Sequence, residues 1–212
     1  MEEILSGRIG RYTRRIKPAS FPVMLGTAIV VGIGTGLLAV LFVNLILLVS
    51  TFTLWFMDTV GLVLGLLLAM GAAGLIVGLL SQRWAPEAKG GGIPEVMEAV
   101  AIRRGHIPAR TILTKMVASA LTIGTGGSAG REGPIVQIGA AFGSSVGKIS
   151  RFSSEQQRTI VACGAAAGIS AAFNAPIAGS IFALEVVLGK LTVSYFSSVV
   201  ISAVSAAIVG RV

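Results

Sequence analysis

Charge is what this sequence has least of. Charged residues make up 12% of the 212, and only nine side chains are acidic. Soluble domains carry about twice that charged share, so a soluble globular domain is excluded as a starting point. There is one cysteine, Cys163, and one histidine, His106. A single thiol supports neither an internal disulfide framework nor a multi-cysteine metal site, and Cys163, in Val-Ala-Cys-Gly-Ala, reads as a small apolar packing residue. His106, in Arg-Arg-Gly-His-Ile-Pro, reads as a solvated loop residue with no metal partner in view. No metal and no cofactor is expected.

What the chain has instead is apolar length: 54% of its residues are hydrophobic and 28 more are glycine. The stretch from Pro18 to Met57 carries no charge over forty residues, and about twenty apolar residues suffice to cross a bilayer as a helix. A secretory signal has a shorter apolar core with a cleavage site, whereas Phe21 to Ser50 is too long and more apolar segments follow, so it is expected to be retained. The net charge of +8 would raise nucleic acid as a partner of a soluble chain. Here the cations sit at segment ends, and the expected partner is the lipid bilayer, not nucleic acid. Arg8, Arg11, Arg14, Arg15 and Lys17 form a basic segment over 1–20 ahead of the first span, which places the N-terminus in the cytoplasm by the positive-inside rule. The loop expected around Thr51 to Thr59 carries only Asp58 and fits the outside. Arg83, Lys89, Arg103, Arg104 and Arg110 return to the inside. Simple alternation leaves the basic loop of Lys148, Arg151 and Arg158 unplaced. The reading is a multi-pass integral membrane protein with its membrane domain over 21–212.

Two long segments, Phe21 to Ser50 and Val60 to Gln82, predict ordinary spanning helices. Gly26, Gly32, Gly34, Gly36, Gly61, Gly65, Gly71, Gly74 and Gly78 recur in them and are expected to let helix backbones approach closely. After Gln82 the apolar pieces shorten and are broken at Lys89-Gly-Gly-Gly-Ile-Pro-Glu95, at Gly126-Gly-Ser-Ala-Gly-Arg-Glu-Gly-Pro134 and at Phe173-Asn-Ala-Pro-Ile-Ala-Gly179. Each puts flexible backbone before a proline and an apolar run after it, and proline suits a first helical turn because its missing N–H has no partner to lose there. The flanks are apolar, so these read as helices that begin within the membrane. Irregular backbone at that depth must be buried in protein or line a watery cavity, and spans broken in this way point to a transport site.

A helix N-terminus presents up to four N–H groups without intrahelical partners and about half a positive charge. Several aimed at one point make an anion site without a cationic side chain. Glycine at 90–92 and at Gly126, Gly127, Gly130 and Gly133 lets main-chain amides reach a small ion, and the loops lack the aromatic walls a bulky organic ligand would want. The expected ligand is a small inorganic anion. Glu132 stands two positions before Pro134, where its carboxylate can occupy the place of a passing anion; protonation or displacement would vacate it, which makes it a candidate gate. Arg131 is either a salt-bridge partner or an attractive charge at the entrance. Lys115, inside the apolar helix Ile112 to Ile123, is expected to support the anion electrostatically and to pair with Glu132 or Glu185. Glu185 either relays protons or is a structural group hydrogen-bonded at the cytoplasmic side.

Gly130-Arg-Glu-Gly-Pro134, Gly90-Gly-Gly-Ile-Pro-Glu95 and Phe173-Asn-Ala-Pro176, in this order and spacing, resemble signature elements of the CLC chloride channels and proton-coupled anion exchangers, most closely the prokaryotic members. The resemblance implies an all-α membrane fold of tilted and broken helices, passive chloride transport, no catalytic residues and no enzymatic activity. It implies that Glu132 is the gating glutamate, that the amides of Arg131, Glu132 and Gly133 contribute to an outer anion site, and that Gly90, Gly91, Gly92, Ile93 and Pro94 contribute to a central one. Many members have Ser at the position of Gly91. Exchangers carry a proton-relay glutamate directly after the residue matching Glu185, where this chain has Val186, which tilts the expectation toward channel-like conduction over proton-coupled exchange. Pro134 argues against the fluoride-selective branch.

The likeness covers only the first of two inverted-topology repeats. A second phenylalanine–proline loop and a tyrosine, both expected at the anion site, have no counterpart. The chain is then a fragment, which ranks first, or receives a second half from another chain, or assembles as two oppositely oriented copies. The resemblance also implies a homodimer through the helices Ile177 to Leu188 and Tyr195 to Ile208. A non-conducting half that needs its partner is a further reading. A phosphate-binding enzyme is disfavoured, because the Gly124 to Gly133 loop lacks the Lys-Ser/Thr ending of a P-loop and no acid stands where magnesium would need one.

Overall fold

The computed structural model describes residues 21–189 and 193–211; the basic segment 1–20 and the side chain of Tyr195 lie outside the described residues. Among these there is no strand, and eight α-helices follow one another: α1 (Phe21–Val60), α2 (Leu62–Arg83), α3 (Ile93–Ala101), α4 (Arg110–Gly124), α5 (Glu132–Ile149), α6 (Ser154–Phe173), α7 (Pro176–Phe182) and α8 (Val193–Val209). A 3₁₀ turn, Pro86–Ala88, precedes α3, and α7 runs on as a π-helical turn, Ala183–Val187.

The loop expected over Thr51 to Thr59 is helix. No Gly or Pro interrupts it, and the hydroxyls of Thr51, Thr53 and Thr59 donate back to the carbonyls of Leu47, Val49 and Phe56, at 2.9, 2.8 and 2.8 Å. The reversal waits for Gly61, whose φ of 103° suits a residue without a Cβ. The 40-residue α1 is therefore ~60 Å long at the helical rise, about twice the hydrocarbon thickness, so it crosses tilted or with an end projecting. α1 and α2 are both long and apolar enough to cross a membrane, and Leu62, Val63, Leu67, Leu75 and Leu79 stand exposed along α2, as a lipid-facing surface requires.

α6 forms the centre, with every residue from Thr159 to Ser170 buried. Its closest neighbour is α5. A Cβ at Gly139 would strike the carbonyl of Gly164, one at Gly164 would strike that of Gly139, and Gly143 and Gly168 meet the main chain of Ile160 and Ile135 in the same way. Gly32 and Gly36 admit α8 against α1. The expectation that all the early glycines pack is only partly met: Gly26, Gly71, Gly74 and Gly78 have open space where a side chain would stand, because the faces of α1 and α2 that carry them meet no other described element.

Contacts along α1 set the direction of the rest. Gly124, ending α4, meets Ile46 and Val49; Gly139 on α5 meets Thr35, and Phe142 meets Gly34. α5 thus runs back toward the start of α1. The loop before α4 is tied to the same end, since Ser144 Oγ donates to the Gly105 carbonyl at 2.8 Å and accepts from the Ile107 N–H at 2.9 Å, while Gln157 Nε2 donates to Gly105 at 3.2 Å. Arg103, Arg104, Lys148, Arg151 and Arg158 therefore gather on one face, with the start of α1. This places the basic loop that alternation of spans left open.

Candidate anion-binding site

The breaks before α3 and α5 meet. A Cβ on Gly92 would collide with the Gly133 carbonyl, and one on Gly133 with the Gly91 carbonyl, so two stretches some forty positions apart touch only because both are glycine. Gly90 and Gly92 take φ values of 85° and 103°, which are strained for residues with a Cβ. Pro94 follows in the first turn of α3, and α5 begins at Glu132 with Pro134 as its third residue. The third break behaves likewise, with Pro176 opening α7.

These helix starts leave donors over. Among the described residues, the main-chain N–H groups of Gly90, Gly91 and Ile93 on one side and of Arg131, Glu132 and Gly133 on the other have no protein partner. Beside them lies a cavity of about 660 Å³ whose wall includes Gly90, Gly91, Ile93, Lys115, Glu132 and Gly133. Free N–H groups at two converging helix starts are an anion-binding arrangement by their dipoles alone. The Glu132 side chain is half-buried at this wall, folds over Gly130 and takes no hydrogen bond from any described residue.

The other expected residues separate from this group in instructive ways. Gly92 packs against Gly133 instead of lining the cavity. Its N–H donates to Glu95 Oε2 at 2.7 Å, the carboxylate reaching back from the third residue of α3 as in a capping box. Lys115 does not pair with Glu132 or Glu185. Its Nζ donates to the carbonyls of Gly90 at 2.8 Å and Ala88 at 3.1 Å, so it fixes the glycine loop and brings a buried cation to the cavity wall. Arg131 is exposed and lines a different cavity beside Asn44 and Gly210; it makes no salt bridge to any described acid. Glu185 lies in the π turn, exposed and away from the cavity, and takes no hydrogen bond from any of the described residues. His106 is exposed, as expected.

Sequence reasoning passed over Glu95 and Gln137. Glu95 was legible, since an acid three residues past a helix-capping position is a known signature. Gln137, almost fully buried on α5, donates from Nε2 to the Glu87 carbonyl at 2.7 Å and so holds the 3₁₀ turn that leads into the glycine loop. A lone amide in an apolar helix was its only signal. Glu87 itself pairs with Arg110 at 2.8 Å. Burial alone would raise its carboxyl, but a hydrogen bond from its own main chain and the Arg110 guanidinium outweigh that and hold it below the ordinary value.

Residues 73–212 match the family described as voltage gated chloride channel. Over 152 residues the chain is 42% identical to a ClcB-like protein of Ralstonia nicotianae, a match covering 68% of this chain and 35% of the relative. Over 207 residues it is 40% identical to the H(+)/Cl(-) exchange transporter ClcA of Vibrio campbellii, with 94% and 44% covered. Among solved structures, a CLC-type fluoride/proton antiporter superposes with a TM-score of 0.78 at 28% identity, over 91% of this chain and 48% of the other. A slow cyanobacterial Cl-/H+ antiporter gives 0.75 at 29%, over 91% and 47%. The chain thus spans less than half the length of the relatives it matches.

Proposed function

Since the chain belongs to the voltage-gated chloride channel (CLC) family, we propose that it supplies one half of a membrane pathway for chloride, with Glu132 as its gate. The carrying observation is the contact between Gly91–Gly92 and Gly133, which sets the unpaired amides of two helix starts beside one cavity together with the unbonded Glu132 carboxylate. When the carboxylate takes the anion's place the path is shut; when it is protonated or swings aside, an ion can bind the same amides. Lys115 adds a positive charge at the wall. The basic face formed by the 103–110 loop, the end of α5 and the start of α6 is cytoplasmic in this reading, as the positive-inside rule requires. The exposed Ile177, Ile181, Val204 and Ile208 of α7 and α8 are the surface for a second subunit.

Conduction is passive in this reading, not proton-coupled. Val186 is half-buried and lines a cavity of about 780 Å³ on the basic face, beside Arg104 and Arg158. An apolar side chain there cannot hand a proton inward. Exchange is the second reading, favoured by the transporter names of the relatives.

Chloride efflux from proteoliposomes containing the chain, alone and with a second-repeat polypeptide, tests the proposal. Glu132→Gln, which removes the competing charge while keeping the size, is expected to change the flux about tenfold or more, since a charge-assisted contact is worth ~1.5–3 kcal/mol, and to remove its dependence on pH. A flux indifferent to this substitution ends the gate assignment. Uphill proton movement driven by a chloride gradient would replace the passive reading by the exchanger.

A further inference from the structure

A second cavity, of about 750 Å³, opens on the basic face between the loop before α4 and the end of α5, lined by Arg103, His106, Ser144, Lys148, Ile149 and Arg151 among others, and by no acid. Arg103 is neutralised by Glu98 at 2.8 Å. Lys148 and Arg151 have no partner among the described residues. Among the described residues no acid lines this cavity: Glu87 pairs with Arg110, Glu98 with Arg103 and Glu95 with the Gly92 N–H, while Glu132 lines the glycine cavity and Glu155 the neighbouring cavity beside Arg158. Two neighbouring cations with no acid among the described residues of their cavity repel one another and call for a counter-charge.

The surroundings say what neutralises them. Ile149, between the two cations in sequence, lines the cavity and is 82% exposed, and Ile107, Pro108 and Ala109 share the lining. The cavity therefore joins cations to apolar side chains, the arrangement that fits a phosphate group with hydrocarbon attached. We propose that it binds the phosphodiester headgroup of an anionic phospholipid of the inner leaflet, with Lys148 and Arg151 on the phosphate oxygens, His106 beside them, and Ile149 along the first acyl carbons. Basic pockets between membrane helices on the cytoplasmic side recognise such headgroups. The site is separate from the glycine cavity and stands whether conduction is passive or coupled.

The test is binding of the purified chain to nanodisc lipid, phosphatidylcholine with or without phosphatidylglycerol, read by native mass spectrometry of the lipids retained and by the thermal unfolding midpoint. Phosphatidylglycerol is expected to be retained over phosphatidylcholine and to raise the midpoint. Lys148→Gln with Arg151→Gln is expected to lower that preference about tenfold or more, and Lys148→Arg to keep it. Arg83→Gln, a cation at the end of α2 outside the cavity, serves as control. Inorganic phosphate in detergent separates the sources: failure to raise the midpoint assigns the site to lipid, and full replacement would overturn the lipid and leave a free-phosphate site. Equal retention of both lipids, or equal loss on Arg83→Gln, would also overturn the proposal, since attraction would then belong to the surface as a whole.

Discussion

Two glycines a few ångströms apart make opposite demands. Gly91 has open space where a Cβ would stand and an ordinary φ, whereas a Cβ on Gly133 would run into the Gly91 carbonyl. Gly91→Ser is therefore expected to fold as the parent does, place a hydroxyl at the cavity wall and shift the chloride-to-nitrate flux ratio severalfold, a hydrogen bond to an ion being worth ~1.5–3 kcal/mol. Gly133→Ala is expected to abolish flux of either anion by prising the two helix starts apart. Anion-substituted efflux assays on both variants check this, and equal behaviour of the two would contradict the contact. The sequence carried these residues plainly, because a run of glycine before proline in an apolar chain has few uses. It did not carry the partner of Lys115. A buried cation needs oxygens, and carboxylates were the natural expectation, yet main-chain carbonyls of a loop exposed by its lack of side chains served instead. Main-chain acceptors leave no letter in a sequence.

For the helices, starts were more legible than ends. Proline in the first turn marked α3, α5 and α7, and all three begin where the breaks predicted. The extent of α1 was misjudged because threonine and a single aspartate look like loop chemistry, while hydroxyls that bond back to the preceding turn are neutral enough to continue a helix. Helix pairing was legible only as a capacity. Small residues occur along α1, α2, α5 and α6 alike, but close approach is realised by Gly139 against Gly164 and not by Gly26. Gly164→Ala is accordingly expected to lower thermal stability in detergent by about 1–3 kcal/mol, the usual cost of overpacking. Gly26→Ala is expected to leave it unchanged or raise it by up to ~1 kcal/mol through helix propensity. Thermal melts followed by circular dichroism compare the pair, and a Gly164→Ala variant as stable as the parent would deny the tight crossing of α5 and α6.

At the scale of the molecule, the glycine cavity is walled by α2, α4 and the starts of α3 and α5, and a face of open glycines on α2 leads away from it. Gly71, Gly74 and Gly78 recur at helical spacing on α2, meet nothing, and the last of them lines the cavity. Small residues on a membrane helix serve close helix approach, and no described helix makes that approach. Matching relatives are more than twice as long, so the expected occupant is the remainder of such a protein. It follows that Gly74→Trp should leave the chain's own melt unaltered, since a Cβ there points into open space, and yet prevent a second-repeat polypeptide from restoring chloride efflux. An exposed residue on the opposite side of the helix, such as Ile76→Trp, should have no effect on either measurement. Were Gly74→Trp to complement as well as the parent, or were the chain alone to conduct at the full rate, the missing wall would lie elsewhere and the open face of α2 would be only a lipid contact.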